Sequence, residues 1–133
     1  DVTAIAFHPN KKVIATGELG PNPLICLWDA LTMIETVPVK SKLKKGIQSI
    51  SFSPSGNVFV AVAIDVDHSI GIFDTNTGKQ LHILKGDAAV ITDIEMRTDD
   101  EFATAGIKHF KLWNMVNGGP PTSKRGAFGT GEN

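Results

Sequence analysis

The chain has 133 residues, 41% hydrophobic and 20% charged, which is the composition of a globular protein rather than a disordered or collagen-like chain. Its 13 Lys and Arg residues against 14 Asp and Glu residues give a net charge of −1, which excludes a global basic field for nucleic-acid binding. The one cysteine, Cys26, excludes an intrachain disulfide and suits a reducing compartment. No apolar run reaches the roughly 20 residues that span a bilayer, so we expect a soluble intracellular protein, or a piece of one, without membrane contact.

An internal repeat of about 45 residues organises the sequence. Two apolar segments each occur three times, the first at residues 2–9, 47–54 and 91–96, and the second at residues 25–29, 70–74 and 110–114. The chain therefore contains three copies of one unit.

The first unit alternates apolar and polar residues with the period of two that is typical of β-strands. Strands are predicted at residues 2–7, 13–17 and 25–29. A fourth strand is predicted at residues 34–40, where Pro38 indicates a sheet edge because proline has no amide N–H for a central strand.

The second unit repeats this plan, with strands predicted at residues 58–63, 70–74 and 80–84 after the segment at residues 47–52. Four short strands with apolar residues on both faces predict a small twisted sheet packed between two others, which is a β-propeller blade. We therefore predict an all-β fold, an incomplete propeller of about three blades built from four-stranded antiparallel sheets.

The predicted divisions are repeat 1 at residues 1–40, repeat 2 at residues 41–86, repeat 3 at residues 87–117 and a Gly/Pro-rich segment at residues 118–133. Lys124 and Arg125 in this last segment belong either to the outer strand of the third blade or to a tail. Three blades are too few to close a ring, so we expect further blades of the same parent chain and poor stability of these residues alone.

The ends of the third strands resemble those of WD repeats. The residues that carry this signature are Trp28, Asp29, Phe73, Asp74 and Trp113. In that family an aspartate six residues before the tryptophan helps hold the blade, and Asp67 stands at that position before Phe73. The dipeptide at residues 86–87 is Gly-Asp, where the family has Gly-His.

A closer resemblance covers nearly the whole chain. Residues 15–17 with residues 23–29, and residues 106–113 with residues 122–129, are similar to runs of the echinoderm microtubule-associated protein-like (EML) family, especially its long members. The resemblance implies tandem WD propellers joined in one rigid unit. It further implies tubulin or microtubules as partners and a location in the cytoplasm on the microtubule cytoskeleton, with spindle, interphase array and cilium or axoneme left open.

Structural roles are favoured for the signature residues. We expect the tryptophans to pack between blades and the aspartates at positions 29 and 74 to stabilise turns, while Cys26 is expected to be a buried, inert thiol. His109 is expected to bond the backbone of a neighbouring blade. The histidines lack metal spacing, and no nucleophile motif or phosphate-binding glycine loop is present, so we predict no cofactor, no metal site and no enzymatic activity.

Charge is unevenly distributed along the chain. Lys40, Lys42, Lys44 and Lys45 cluster in the connection between the first two units, which we call the lysine loop. The cluster is either a solvated loop or a docking site for an acidic surface. Residues 99–101 form an opposing acidic turn in the third unit.

Two functions of different classes follow. The first is a non-catalytic cytoskeletal scaffold that binds tubulin or microtubules, as the EML resemblance implies. The second is a generic WD-repeat scaffold for protein–protein interaction in a ciliary or signalling assembly, without tubulin contact. Propellers support many functions, so the fold alone does not choose between them.

Overall fold

The computed structural model describes residues 1–127, and this part of the chain contains twelve β-strands and one 3-10 turn at Val116–Gly118. The strands are β1 Val2–Phe7, β2 Val13–Glu18, β3 Ile25–Asp29, β4 Glu35–Pro38, β5 Ile47–Phe52, β6 Val58–Ala63, β7 Ile70–Asp74, β8 Gln80–Leu84, β9 Ile91–Met96, β10 Glu101–Gly106, β11 His109–Asn114 and β12 Thr122–Arg125. No helix in this range is long and apolar enough to cross a membrane. Phe128 and Gly129, which end the second run similar to the EML family, lie outside the described residues.

The strands form three four-stranded antiparallel sheets, each built from four consecutive strands. The prediction of an all-β fold of propeller blades is confirmed, and the three sheets do not close into a ring. The innermost strand β5 lies between β1 and β9, so the sheets stack in chain order. Lys124 and Arg125 lie in β12, the outer strand of the third sheet.

Because successive strands run in opposite directions, their connections alternate between two ends of the sheets. The upper rim holds the loops at residues 19–24, 64–69 and 107–108, the inter-sheet connection at residues 85–90 and the end of the inter-sheet connection at residues 39–46. The lower rim holds the remaining turns, including the acidic turn of the third sheet. Lys44 and Lys45 of the lysine loop therefore lie on the rim opposite the acidic turn, whereas Lys40 lies beside Lys79 of the β7–β8 turn.

The middle sheet is buried on both faces. Phe59, Ala61 and Phe73 pack toward the first sheet, where they join the apolar side chains of β1, β2 and β3. Their neighbours Val60 and Val62 point the other way and pack against the third sheet, with Phe102 and Trp113 among their partners there. This alternation explains why β6 is apolar along its whole length, since a strand covered on both faces has no solvent side.

Hydrogen bonds between sheets join residues about one repeat apart. The Thr3 hydroxyl donates to the Ile47 carbonyl at 2.8 Å, linking the first sheet to the second. The Ser49 hydroxyl donates to Asp93 Oδ1 at 3.1 Å, linking the second to the third. Each sheet is thus fastened to the next through residues at similar positions of the repeat.

Trp28 and Cys26 lie on the outer face of the first sheet. Trp28 is half-buried there, because no sheet covers this face within residues 1–127. Ile5 and Phe7 are exposed beside it. Cys26 is also half-buried instead of buried as predicted. Partial burial and the nearby carboxylates of Glu35 and Glu18 raise its pKa, which agrees with the prediction of an inert thiol.

The fourth strand is shorter than predicted. It ends at Pro38, which pairs with Cys26 at the sheet edge. Beyond this point the backbone leaves β3, because the Lys40 amide donates to the Gly78 carbonyl at 3.1 Å and Lys40 forms a bridge with Lys79 of the second sheet. The chain therefore crosses to the next sheet two residues before the predicted end of the strand.

Candidate functional site

The lysine loop is an ordered connection. Leu43 is 1% exposed and inserts into the core between the first and second sheets. The Lys42 amide donates to Gln80 Oε1 at 2.7 Å, and the Leu43 amide donates to Ser41 Oγ at 3.1 Å. A buried leucine flanked by backbone hydrogen bonds fixes the path of the loop, while Lys40, Lys42, Lys44 and Lys45 are all exposed.

The second half of the loop is held by the β2–β3 loop. Lys44 Nζ donates to Asn22 Oδ1 at 2.7 Å. The Gly20 amide donates to the Lys45 carbonyl at 3.1 Å, and the Lys45 amide donates to the Pro21 carbonyl at 3.4 Å. Within residues 1–127, none of the four ammonium groups of the lysine loop forms an ion pair. The loop therefore presents four positive charges from a fixed backbone.

The acidic turn has an internal role on the lower rim. Asp99 Oδ1 accepts a hydrogen bond from the Ser55 hydroxyl at 2.8 Å, which ties the third sheet to the β5–β6 turn. This bond from Ser55, opposed by partial burial, lowers the pKa of Asp99. Glu101 is paired with Arg97 at 2.7 Å. Two of the three acidic side chains in the turn are thus engaged within the protein.

A buried polar chain runs through the third sheet. Trp113 Nε1 donates to Thr104 Oγ1 at 3.0 Å, and the Thr104 hydroxyl lies 2.7 Å from His109 Nε2. His109 Nδ1 lies 2.8 Å from Asp87 Oδ2. One assignment of protons uses each donor once. In it the Thr104 hydroxyl donates to His109 Nε2, and His109 Nδ1–H donates to the Asp87 carboxylate. His109 therefore bonds two side chains rather than the blade backbone that we predicted.

Asp87 is the charged end of this buried row of hydrogen-bonded side chains. Oδ2 also lies 3.4 Å from Lys111 Nζ and 3.4 Å from Arg125 Nη2, and Oδ1 accepts from the Ala89 amide at 3.2 Å. Burial opposes ionisation of the carboxyl, but the hydrogen bonds from Ala89 and His109 and the charge of Lys111 hold the pKa of Asp87 well below its usual range. The arrangement satisfies a carboxylate and leaves no group placed for acid–base chemistry.

The other two sheets have only parts of the buried hydrogen-bonded chain that runs from Trp113 to Asp87 in the third sheet. In the first sheet Trp28 Nε1 donates to Thr16 Oγ1 at 2.9 Å. In the second sheet Phe73 and Ala61 stand at the positions of tryptophan and threonine and contribute packing alone. Asp67 contributes through its backbone carbonyl, which accepts from the amides of Gly86 and Asp87 at 3.1 and 3.2 Å.

Asp29 and Asp74 stabilise turns in the same way. Asp29 Oδ1 accepts the amides of Leu31 and Thr32, both at 2.9 Å. Asp74 Oδ1 accepts the corresponding amides two and three residues further along, at 2.8 and 3.0 Å. The two carboxylates lie in different sheets and close the turns between the third and fourth strands, so they do not form an acid–base pair.

Sequence reasoning missed the partnership between Asp87 and His109. The aspartate at position 87, where the WD-repeat family has histidine, was visible in the sequence, but nothing linked it to His109 at the start of β11. Within residues 1–127, no group of three or more His, Cys, Asp or Glu side chains could hold a metal ion.

Comparison with known proteins decides the family. The WD40 family, described as WD domain, G-beta repeat, matches residues 1–29 and 38–74. The chain contains WD repeats. This WD-repeat chain is similar in fold to the β-propeller domain of Cps50 (Swd1) from Myceliophteria thermophila, with a TM-score of 0.77 and 18% identity over 93% of this chain and 38% of that one.

Curated relatives of the WD-repeat protein support the EML resemblance. It is 28% identical over 140 residues to the 77 kDa echinoderm microtubule-associated protein of Strongylocentrotus purpuratus, covering 96% of this chain and 20% of that protein. It is 25% identical over 142 residues to the human echinoderm microtubule-associated protein-like 1, covering 96% and 17%.

A ciliary protein is also similar. Identity to the ciliary WD repeat-containing protein ctxp80 of Euplotoides octocarinatus is 32% over 121 residues, covering 86% of this chain and 17% of that protein. The WD-repeat chain thus spans about a fifth of the length of these curated relatives. The resemblance to the EML family is confirmed, and the chain is related both to microtubule-associated and to ciliary WD proteins.

Proposed function

We propose that this WD-repeat chain is part of a non-catalytic scaffold that binds tubulin or microtubules, with the lysine loop as a contact. The observation that carries the proposal is the ordered loop with four exposed lysines, none of which has an acidic partner in residues 1–127. Fixed positive charges favour encounter with an acidic surface at modest salt. The names of the echinoderm relatives support microtubules as that surface.

The corresponding location is the microtubule cytoskeleton of the cytoplasm. A second candidate is a protein-interaction scaffold in a cilium that makes no tubulin contact, which the name of the Euplotoides relative favours. Both candidates require protein partners, no cofactor and no catalytic group, and they differ only in whether tubulin is among the partners.

Microtubule co-sedimentation of the protein across a salt series tests the proposal. The wild type is expected to pellet at low salt and to be released as salt rises, because screening weakens contacts between exposed charges. A variant with Lys40→Glu, Lys42→Glu and Lys45→Glu keeps the Lys44–Asn22 bond and is expected to stay in the supernatant.

A charge-matched control changes Lys11, Lys12 and Lys124 to Glu. These three exposed lysines lie in the β1–β2 turn and in β12, away from the lysine loop, so this variant is expected to pellet like the wild type. If the wild type remains in the supernatant at the lowest salt, tubulin binding is contradicted and the ciliary scaffold becomes the favoured function. If the loop variant pellets as well as the wild type, only the assignment of the lysine loop as the contact is contradicted.

A further inference from the structure

The upper rim carries an exposed apolar residue at the same position of each sheet. Leu19, Ile64 and Ile107 each follow the second strand of their sheet directly. Their backbone amides donate to the backbone carbonyls of Asp1, Gly46 and Val90 respectively, at 2.9, 2.9 and 3.0 Å. The three positions are therefore structurally equivalent. We call these three residues the rim row.

The exposure of Ile64 in the rim row does not come from the open faces of the outer sheets. Leu19, Ile64 and Ile107 are 52%, 39% and 63% exposed. Ile64 belongs to the middle sheet, which has a neighbour on both sides. Val66 in the same loop is 85% exposed. Stacking more sheets beside this chain would leave the apolar groups of the middle loop in water, where a contiguous apolar patch indicates an interaction site.

The row is continuous between the first and second sheets. A Cβ atom placed on Gly46 would lie 2.9 Å from Cδ1 of Leu19 and 2.9 Å from Cδ1 of Ile64. The two side chains therefore meet across Gly46, at the end of the lysine loop. Glycine at this position lets them approach and form one apolar surface.

Lysines accompany the row, and three of the acidic side chains near it, Glu18, Asp65 and Asp87, are engaged within the protein. Lys45 precedes Gly46, and Lys108 follows Ile107; both are exposed. Asp65 binds the amide and hydroxyl of Ser69 at 2.8 and 2.6 Å. Glu18 Oε1 accepts the Leu24 amide at 3.1 Å, Asp87 is held in the buried chain, and Asp67 is half-buried. The exposed charges beside the row are therefore Lys45, Lys108 and, next to Leu19, Asp1.

We propose that the rim row binds an acidic segment of a partner protein in which apolar side chains are interspersed with carboxylates. The apolar side chains pack on Leu19, Ile64 and Ile107, and the carboxylates pair with Lys45 and Lys108. Apolar burial supplies affinity, and the lysines select the sign of the partner's charge. The inference deepens the proposed function and rests on it in one respect, that Lys45 belongs to both sites.

Fluorescence anisotropy of a labelled peptide built of Glu-Glu-Leu-Glu-Phe repeats tests the proposal on the whole protein. The wild type is expected to bind this peptide and not its counterpart with lysine in place of glutamate. A peptide with serine in place of leucine and phenylalanine is expected to bind at least about tenfold more weakly. Equal binding of the serine peptide would overturn the apolar role of the row.

Matched protein variants locate the site. Replacing Leu19, Ile64 and Ile107 by Ser is expected to weaken peptide binding at least about tenfold. The control replaces Leu31, Met33 and Val116, which are exposed apolar residues of the lower rim, and is expected to bind like the wild type. Equal binding by the row variant overturns the proposal, as does a wild-type dimer that the row variant abolishes, because the row would then pair two copies.

Two further measurements complete the test. Hydrogen exchange of the wild type, which needs no variant, is expected to show peptide protection at residues 19–24, 64–69 and 107–108, and protection elsewhere overturns the site. Microtubule pelleting separates the two proposals. Peptide binding without pelleting would support the rim-row proposal and contradict tubulin binding. Pelleting without peptide binding would support tubulin binding and contradict the rim-row proposal.

Discussion

Asp87 Oδ2 and His109 Nδ1 lie 2.8 Å apart and join the connection between the second and third sheets to the start of β11. The imidazole has no exposed surface, and its other nitrogen bonds Thr104. The carboxylate therefore orients a ring that in turn satisfies a buried hydroxyl. The third sheet is held by a polar chain as well as by apolar packing.

The first prediction concerns pH. A carboxyl whose pKa is depressed by folding contributes stability above its unfolded-state pKa of about 3.9, and this contribution is lost as the pH falls below that value. Asp87→Asn is expected to lower the free energy of unfolding by about 1–3 kcal/mol at pH 7. The free energy of unfolding of this variant should also fall less than that of the wild type as the pH is lowered. Unfolding followed between pH 7 and pH 3 measures both effects.

Asp100→Asn, in the exposed turn of the lower rim, is the control for this prediction and is expected to change neither quantity. Some acid dependence should survive in the Asp87 variant, because the pKa values of Asp29 and Asp99 are also lowered. An Asp87 variant with the full wild-type decline would contradict the prediction.

The second prediction compares two threonines. Thr104→Val removes a hydroxyl that bonds both Trp113 and His109, and it leaves two buried groups without partners. We expect a loss of about 2–5 kcal/mol in unfolding free energy. Thr16→Val removes the equivalent bond to the half-buried Trp28, where water can replace the hydroxyl, and should cost about 1 kcal/mol or less. Chemical denaturation of both variants measures the difference, and equal costs would argue against the buried chain.

The third prediction concerns Gly46, whose φ is 153°. Gly46→Ala strains the backbone and places a methyl group against Leu19 and Ile64, so we expect it to destabilise the protein by about 1–3 kcal/mol. Gly20→Ala is the control, because its φ is 146° and nothing lies within 4 Å of the added Cβ. Thermal unfolding should show the smaller loss for Gly20; a reversed order would mean that Leu19 and Ile64 move aside freely.

The fourth prediction concerns the anchor of the lysine loop. Leu43→Ala removes a fully buried side chain and is expected to cost about 2–4 kcal/mol in unfolding free energy. Hydrogen exchange of residues 41–46 should also become faster, since the loop loses its contact with the core. Leu31→Ala, at a side chain that is 92% exposed, should change neither measurement. Unchanged exchange in the Leu43 variant would indicate that backbone hydrogen bonds alone order the loop.

Most of the fold could be predicted because its information is local and repeated. The period of two located β6, β7 and β8, and the repeat carried the same plan to the sheets before and after them. The end of β4 was misplaced because it depends on Gly78 and Lys79, which belong to another sheet and receive the chain beyond Pro38.

The side-chain environments were harder to predict than the strands. Trp28 and Trp113 occupy the same position of the repeat, but only Trp113 is covered, because burial is decided by the sheet that lies opposite. The partnership of Asp87 with His109 spans 22 residues and joins an inter-sheet connection to the start of β11, and no period in the sequence links them. The rim row escaped notice because three single apolar residues at loop starts produce no local pattern.

The spacing of the bonds between sheets has a consequence for how the protein comes apart. Between sheets, Thr3 reaches Ile47 and Ser49 reaches Asp93, so these bonds couple each sheet to its immediate neighbour. In such a linear array stability is a sum of units and of the junctions between them. The first or third sheet can fray while the other two stay folded, whereas the middle sheet cannot be lost without separating its neighbours. Force applied to the chain ends would therefore peel the sheets from the outside inward.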